Sequence, residues 1–192
     1  MQLLISNDDG VHAEGLAYLV QELEQDHHLT VIAPDRDLSG ASNALTLSRP
    51  VRLMPQKNGF FSIDGTPADC VHLGINGALE ISPDMVVSGI NHGANLGDDV
   101  LYSGTVAAAM EGRYLAQHAM AVSLVGQCHF LTAAKVARQL MTSIKQLNLP
   151  ARCIINVNVP DLPYAQIKGM KVTRLGSREL GGAAIDAQDP RG

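Results

Sequence analysis

The sequence predicts an α/β fold built on a mostly parallel, doubly wound sheet. Three observations carry that prediction. The apolar run Leu3–Ser6, a helical period and a second apolar run Leu29–Ala33 follow one another, the order of a β-α-β unit with a right-handed crossover. Further short apolar runs at Met85–Ser88, Ala119–Val125 and Ile154–Val159 alternate with helical stretches, as in a parallel sheet covered on both faces. Loops rich in small polar residues follow these strands, at the sheet edge where such folds bind ligands.

The elements read as follows. Leu16, Leu19, Val20 and Leu23 keep the i, i+3, i+4, i+7 spacing of a helix that buries one face. Residues 34–43 form a polar loop after the second strand. Strand-like pieces follow at Ala44–Leu47, Val51–Met54 and Phe60–Ile63, with Lys57-Asn58-Gly59 as a hairpin turn between the last two. Gly65-Thr66-Pro67 opens a helix, with Thr66 at the N-cap, Pro67 at the first helical position and Asp69 favouring the helix dipole. A Gly- and Asn-rich loop is expected from Gly89 to Ser103 and a helix from Thr105 to Ala116. Ala133, Val136, Ala137, Leu140, Met141, Ile144 and Leu147 place one apolar stripe on a helix spanning 131–147. Met170–Arg174 is a further candidate strand, and the polar tail at 181–192 reads as loop.

Composition narrows the function. The chain has 192 residues, enough for one domain with a sizeable core. Charged residues are 17% of it, below the typical share of about 25%, so much of the chain is expected to be core or subunit interface. The net charge of −5, the absence of a basic run and an aromatic content of 4% with no Trp argue against polymeric nucleic acid as a partner. No apolar stretch is long enough to span a membrane, and no signal peptide is apparent. Cys70, Cys128 and Cys153 are far apart and odd in number, so they are expected to be reduced thiols. A cytoplasmic location follows as the expectation.

The chemistry gathers in four loops. Asp8 and Asp9 sit side by side at the first strand-to-helix turn, where nucleotide folds usually place glycines. Adjacent carboxylates repel each other and repel a phosphate unless a cation lies between them. As hard oxygen ligands they suit Mg²⁺, Mn²⁺ or Ca²⁺. The competing use is structural: Asp8 as cap of the next helix and Asp9-Gly10 as a turn. Ser39 and Asn43, after strand two, offer neutral oxygens to a cation or hydrogen bonds to a phosphate, or serve only the turn. Asp35 is a candidate for a ribose hydroxyl, although no G-x-G-x-x-G supports a dinucleotide. Asn91 and Asn95 lie in a stretch with Gly89, Gly93 and Gly97 at every fourth position. Ser103-Gly104-Thr105 at a helix start offers N–H groups and hydroxyls to a phosphate, or ordinary capping. His12 and His92 are near enough to assist proton transfer; His72, His118 and His129 are expected to be structural or exposed. Neither H-E-x-x-H nor G-x-S-x-G is present.

Taken together, these residues resemble the SurE family of stationary-phase survival proteins, metal-dependent 5'/3'-nucleotidases. The resemblance rests on Ser6-Asn7-Asp8-Asp9-Gly10, Ala33-Pro34-Asp35-Arg36 with Ser39-Gly40-Ala41-Ser42-Asn43, and Gly65-Thr66-Pro67-Ala68-Asp69-Cys70-Val71. It continues through Val87-Ser88-Gly89-Ile90-Asn91 with Gly93 and Asn95, Tyr102-Ser103-Gly104-Thr105-Val106, and Asn156-Val157-Asn158-Val159-Pro160. It implies a Rossmann-like three-layer catalytic domain over residues 1–160, and over 161–192 the start of a C-terminal extension or oligomerisation region. It implies Asp8, Asp9, Ser39 and Asn91 as ligands of one divalent cation per subunit, Mg²⁺ or Mn²⁺. It implies Asn95, Ser103, Gly104 and Thr105 around the phosphate, with Asn43 as a further contact. A homodimer or homotetramer is implied, with a C-terminal part exchanged between subunits. Family members generally continue past the point where this sequence ends, so a truncated extension is expected.

The implied reaction is hydrolysis of nucleoside 5'- and 3'-monophosphates, with short polyphosphate as a further substrate. Two chemistries fit: attack by an activated water, favoured here, and attack by Asp8 through an aspartyl-phosphate. Asp8, Asp9, Asn95, Ser103 and Thr105 are the catalytic candidates. Two rivals are a phosphatase with an aspartate nucleophile, whose D-x-D spacing Asp8-Asp9 lacks, and a non-catalytic metal- or nucleotide-binding regulator.

Overall fold

In the structure, a computed structural model that describes residues 1–177, the strands assemble into one seven-stranded sheet of order β3-β4-β2-β1-β5-β6-β7. These are β1 (Gln2–Ser6), β2 (His28–Pro34), β3 (Leu53–Pro55), β4 (Phe61–Ile63), β5 (Met85–His92), β6 (Met120–Val125) and β7 (Ile155–Pro160). All neighbours are parallel except β3, which runs antiparallel to β4 through the expected hairpin. The chain steps outward from β1 to β2 and β4, then returns to the other side of β1 with β5. The point where strand order reverses therefore lies between β1 and β5, and in open α/β sheets that is where ligands bind.

Four helices cover the two faces: α1 (Glu14–Leu23) and α4 (Phe130–Ser143) on one, α2 (Pro67–Ile75) and α3 (Gly104–Glu111) on the other. Each buried strand alternates between two cores. Leu3, Ile5, Val87, Met120 and Val122 pack under α1 and α4, with Leu16, Leu19, Leu23, Val136 and Ala137. Leu4, Ile32, Val86 and Ala121 pack under α2 and α3, with Cys70, Val71, Val106 and Ala109. Period-2 alternation on strands buried from both sides explains why their sequences are apolar throughout rather than half polar.

Thr66 forms the full capping box of α2: its hydroxyl accepts from the Asp69 N–H, and the Asp69 carboxylate accepts from the Thr66 N–H. Four expectations need correction. Ala44–Leu47 and Met170–Arg174 form no strand and join no sheet among the described residues. The stretch from Gly89 is not loop: β5 continues to His92, and residues 97–102 form a 3-10 helix. Gly89 makes that continuation possible, because it sits at φ 140° where a Cβ would lie 2.4 Å from the Val122 carbonyl oxygen. Helix α3 is shorter than expected and ends at Glu111, followed by a 3-10 turn at Gly112–Tyr114. The tail at 181–192 lies outside the described residues, and no described helix is long and apolar enough to cross a membrane.

Candidate active site

Parallel strands β1, β2 and β5 all end at the same edge of the sheet, and their loops interlock there. Asn7, fully buried, closes the first loop. Its side-chain amide donates to the Gly10 carbonyl at 2.9 Å, and its side-chain oxygen accepts from the Gly10 N–H at 3.2 Å. The turn is thus made by Asn7, and α1 begins only at Glu14 with Ala13 at its N-cap. Asp8 and Asp9 are therefore released from both structural duties that the sequence left open. Backbone bonds from Leu38 N–H to the Asp8 carbonyl, and from Val11 N–H to the Pro34 carbonyl, tie this loop to the one after β2.

Asp8 is 3% exposed, and its carboxylate accepts a short hydrogen bond from the Thr105 hydroxyl. Burial pushes its carboxyl up to about 6; the Thr105 bond works against the rise and the neighbouring Asp9 charge adds to it. Asp9 accepts from the His92 N–H at 3.1 Å, and burial raises its carboxyl too. Ser39 donates its hydroxyl to Asp37 at 2.6 Å, which leaves the Ser39 oxygen lone pairs for another partner. Asn91, on the last turn of β5's pleat, spends its amide N–H on the Gly93 carbonyl at 2.8 Å.

Asn95 is held from β6 and β7. Its side-chain amide donates to Ser123 at 2.8 Å, its N–H donates to the Asn158 side chain at 2.8 Å, and its carbonyl accepts from Asn156 at 2.9 Å and Asn158 at 3.0 Å. Ser103 caps α3, its oxygen accepting from the Val106 N–H at 3.1 Å, so its O–H remains free to donate. Gly104 lets α3 approach Asp8: a Cβ there would lie 2.7 Å from the Asp8 Cβ.

A cavity of about 350 Å³ opens at this point, lined by Asp8, Ser39, Gly40, Asn91, His92, Asn95, Asp99, Tyr102 and Ser103. None of these residues is Lys or Arg. Asp9 is not in the lining and meets the His92 N–H; Thr105 is fully buried with its hydroxyl turned to Asp8 rather than to the cavity; Asn43 is exposed outside it. Asp35 faces Arg36 at 3.1 Å, and His12 is exposed away from the lining. His72 and His129 pair with Glu111 and Asp161. Tyr102 heads the Tyr102-Ser103-Gly104-Thr105 stretch and Asp99 lies in the Gly- and Asn-rich one, but neither is assigned a site role from sequence. Asn156 and Asn158 did leave a signal: two asparagines two residues apart on an apolar strand share one face.

No group of three or more His, Cys, Asp and Glu poised for a metal occurs among the described residues. A cation here would have to use two carboxylates completed by neutral oxygens. Asp8, Asp9, Ser39 and Asn91 supply that donor set, all hard oxygen, of the kind that suits Mg²⁺ or Mn²⁺. The buried, mutually repelling carboxylates fit a positively charged occupant.

The model of the family described as "Survival protein SurE" matches residues 3–182. A protein of Pseudoalteromonas atlantica named "5'-nucleotidase SurE" is 57% identical over 194 residues, covering all of this chain and 78% of that protein. A protein of the same name from Legionella pneumophila strain Corby is also 57% identical, with 77% of its length covered. The crystal structure of the SurE protein from Aquifex aeolicus superposes with a TM-score of 0.86 at 43% identity, covering 93% of this chain and 73% of that one. With the sheet order, the switch-point carboxylates and a match across nearly its whole length, the chain belongs to the SurE family.

Proposed function

We infer that this chain is a phosphomonoesterase that hydrolyses nucleoside 5'-monophosphates to nucleoside and phosphate, the activity for which its relatives are named. One observation carries the reading. Among the described residues the cavity at the switch point is lined chiefly by acids and neutral oxygens, with no Lys or Arg, yet it opens on the capped N-terminus of α3. A helix start favours an anion, and the carboxylates refuse one unless a divalent cation joins them.

Asp8, Asp9, Ser39 and Asn91 would hold that cation, with Mg²⁺ or Mn²⁺ as the chemically matched ions. When bound, it supplies positive charge beside the phosphoryl oxygens and the acidity that makes a water an effective nucleophile. The chain's own groups do the rest. The Ser103 hydroxyl, the second N–H of the Asn95 amide and the first-turn N–H of Gly104 donate to the phosphoryl oxygens as charge moves onto them. Such preset donors are worth about 10²–10³ in rate apiece. The Thr105 hydroxyl fixes the orientation of Asp8. Attack by Asp8 itself is the second reading, favoured by its position on the cavity wall; trapping of a phosphoryl-Asp8 adduct would select it over water.

Nucleoside 3'-monophosphates and short polyphosphate are further proposed substrates. A homodimer or homotetramer is the proposed assembly, supported by Met170, Val172 and Leu175, which stand exposed on the extended segment after β7. The free, exposed thiol of Cys128 supports a reducing compartment such as the cytoplasm. The test is phosphate release from nucleoside monophosphates with Mn²⁺ or Mg²⁺, with chelator, and for Asp8→Asn. Turnover that chelator does not suppress would reject the reading, and metal-dependent binding without turnover would favour a regulator.

A further inference from the structure

Among the described residues, three of the four tyrosines have ring partners. Tyr18 stacks on Phe130 with ring centres 6.4 Å apart. Tyr114 lies between the guanidinium groups of Arg113 and Arg152, at 4.2 and 4.9 Å. Tyr164 faces the Lys135 ammonium at 5.6 Å and donates its hydroxyl to Gln139 at 3.2 Å. Tyr102 has no ring or side-chain partner among the described residues, and it is 56% exposed. It lies in the wall of the Asp8 cavity, immediately before Ser103; the other ring in that wall among the described residues, His92, is edge-on to Phe130 at 6.5 Å.

The backbone at Tyr102 is nonetheless pinned. It ends the 3-10 helix at 97–102, its carbonyl accepts from the Ser42 N–H at 3.2 Å, and the next residue caps α3. Leu101, its neighbour on that short helix, is exposed as well. A fixed aromatic face with an apolar rim, one residue from the phosphate donors, suits the flat apolar part of a ligand whose phosphate lies on α3.

We propose that Tyr102 is the platform on which the nucleobase of the substrate stacks; this rests on the phosphomonoesterase reading above. The ring acts on binding and not on the reacting atoms. Stacking on an aromatic face reads no base edge, because every base has a π-face. The site therefore accepts all the common bases, purines ahead of pyrimidines by their larger stacking area.

The test compares kcat/KM for adenosine 5'-monophosphate, uridine 5'-monophosphate and ribose 5-phosphate, with Mn²⁺, in the wild type, Tyr102→Ala and Tyr102→Phe. Ribose 5-phosphate keeps the sugar and phosphate but lacks the base. Tyr102→Ala should lower the ratio of adenosine monophosphate to ribose 5-phosphate by about tenfold, chiefly through KM, the size expected for one lost aromatic stack. The uridine monophosphate ratio should fall less, and Tyr102→Phe should keep both. An unchanged ratio, an equal loss in Phe and Ala variants, or an effect of Tyr102→Ala on subunit association in place of the ratio would overturn the assignment. Wild-type enzyme that hydrolyses both substrates equally would overturn the stacking role and leave the phosphomonoesterase standing. Hydrolysis of neither would overturn both.

Discussion

Asp8 and Asp161 are both carboxylates set beside the start of a helix, and the fold treats them in opposite ways. Asp161, just past β7, receives N–H groups from Gln127 at 2.9 Å, Cys128 at 3.2 Å and His129 at 2.8 Å, and the His129 ring at 2.7 Å. It fixes the turn that leads into α4, whose N-cap is His129. These donors, led by the Gln127 N–H, hold its carboxyl well below the usual carboxylate range. Asp8 is buried beside a second acid and is given chiefly a hydroxyl, so its carboxyl rises. A carboxylate that serves stability is surrounded by donors. Asp8 is left short of them, which is the setting that the proposed cation would complete.

The contrast can be broken most severely at Asp8. If Asp8 holds the cation as proposed, Asp8→Asn should lower turnover of nucleoside monophosphates by at least about 10³-fold, since it would remove that ligand and a cavity charge together. Gly104→Ala comes next. Its Cβ would press on the Asp8 Cβ at 2.7 Å and the Pro67 Cγ at 3.0 Å, so α3 must move off the carboxylate. Activity should fall about 10²-fold, because a shift on the order of 1 Å in a catalytic group has that cost. Stability should fall by about 1–3 kcal/mol, as for other overpacked sites, read by denaturant unfolding.

The pH responses of the two acids have opposite signs. Asp161 has a depressed folded-state pKa, so its stabilisation is present above the unfolded value and is lost as pH falls through the folded one. Asp161→Asn should therefore lower the melting temperature at pH 7 and narrow its difference from the wild type as the solution is acidified. Asp8 has a raised one, so the folded metal-free protein holds an extra proton between pH 3.8 and about 6, and stability falls as pH rises through that window. Cation affinity should accordingly weaken below about pH 6, with proton release on binding near that pH, measurable by calorimetry in buffers of different ionisation enthalpy.

The sequence disclosed these two regions unequally. Asp8-Asp9 stood out because adjacent acids at a strand end violate the local rule that such turns carry glycines. The β-α-β start and the Thr66 capping box were legible for the same reason: each is a short-range pattern with its own physical cause. Asp161 carried no signal, because its partner His129 is 32 residues away. Strand β5 beyond Gly89 was hidden as well: glycine and asparagine are poor strand formers, and pairing with Ser123 and Leu124 of β6, far off in sequence, holds Asn91 and His92 in the sheet. Thr105 read as an open helix-start hydroxyl, and burial against Asp8 turned it inward. The tyrosine at 102 became visible as a site residue only once the other three rings were seen to be occupied.

The central claim is that Asp8 is a buried charge that the fold leaves uncompensated for a cation. Chemical unfolding of wild type and Asp8→Asn at pH 7.5, each with chelator and with Mn²⁺, tests it directly. In chelator, Asp8→Asn should be the more stable, by on the order of 2–3 kcal/mol, and Mn²⁺ should stabilise the wild type far more than the variant. A variant no more stable than the wild type in chelator, with the two responding alike to Mn²⁺, would contradict the account.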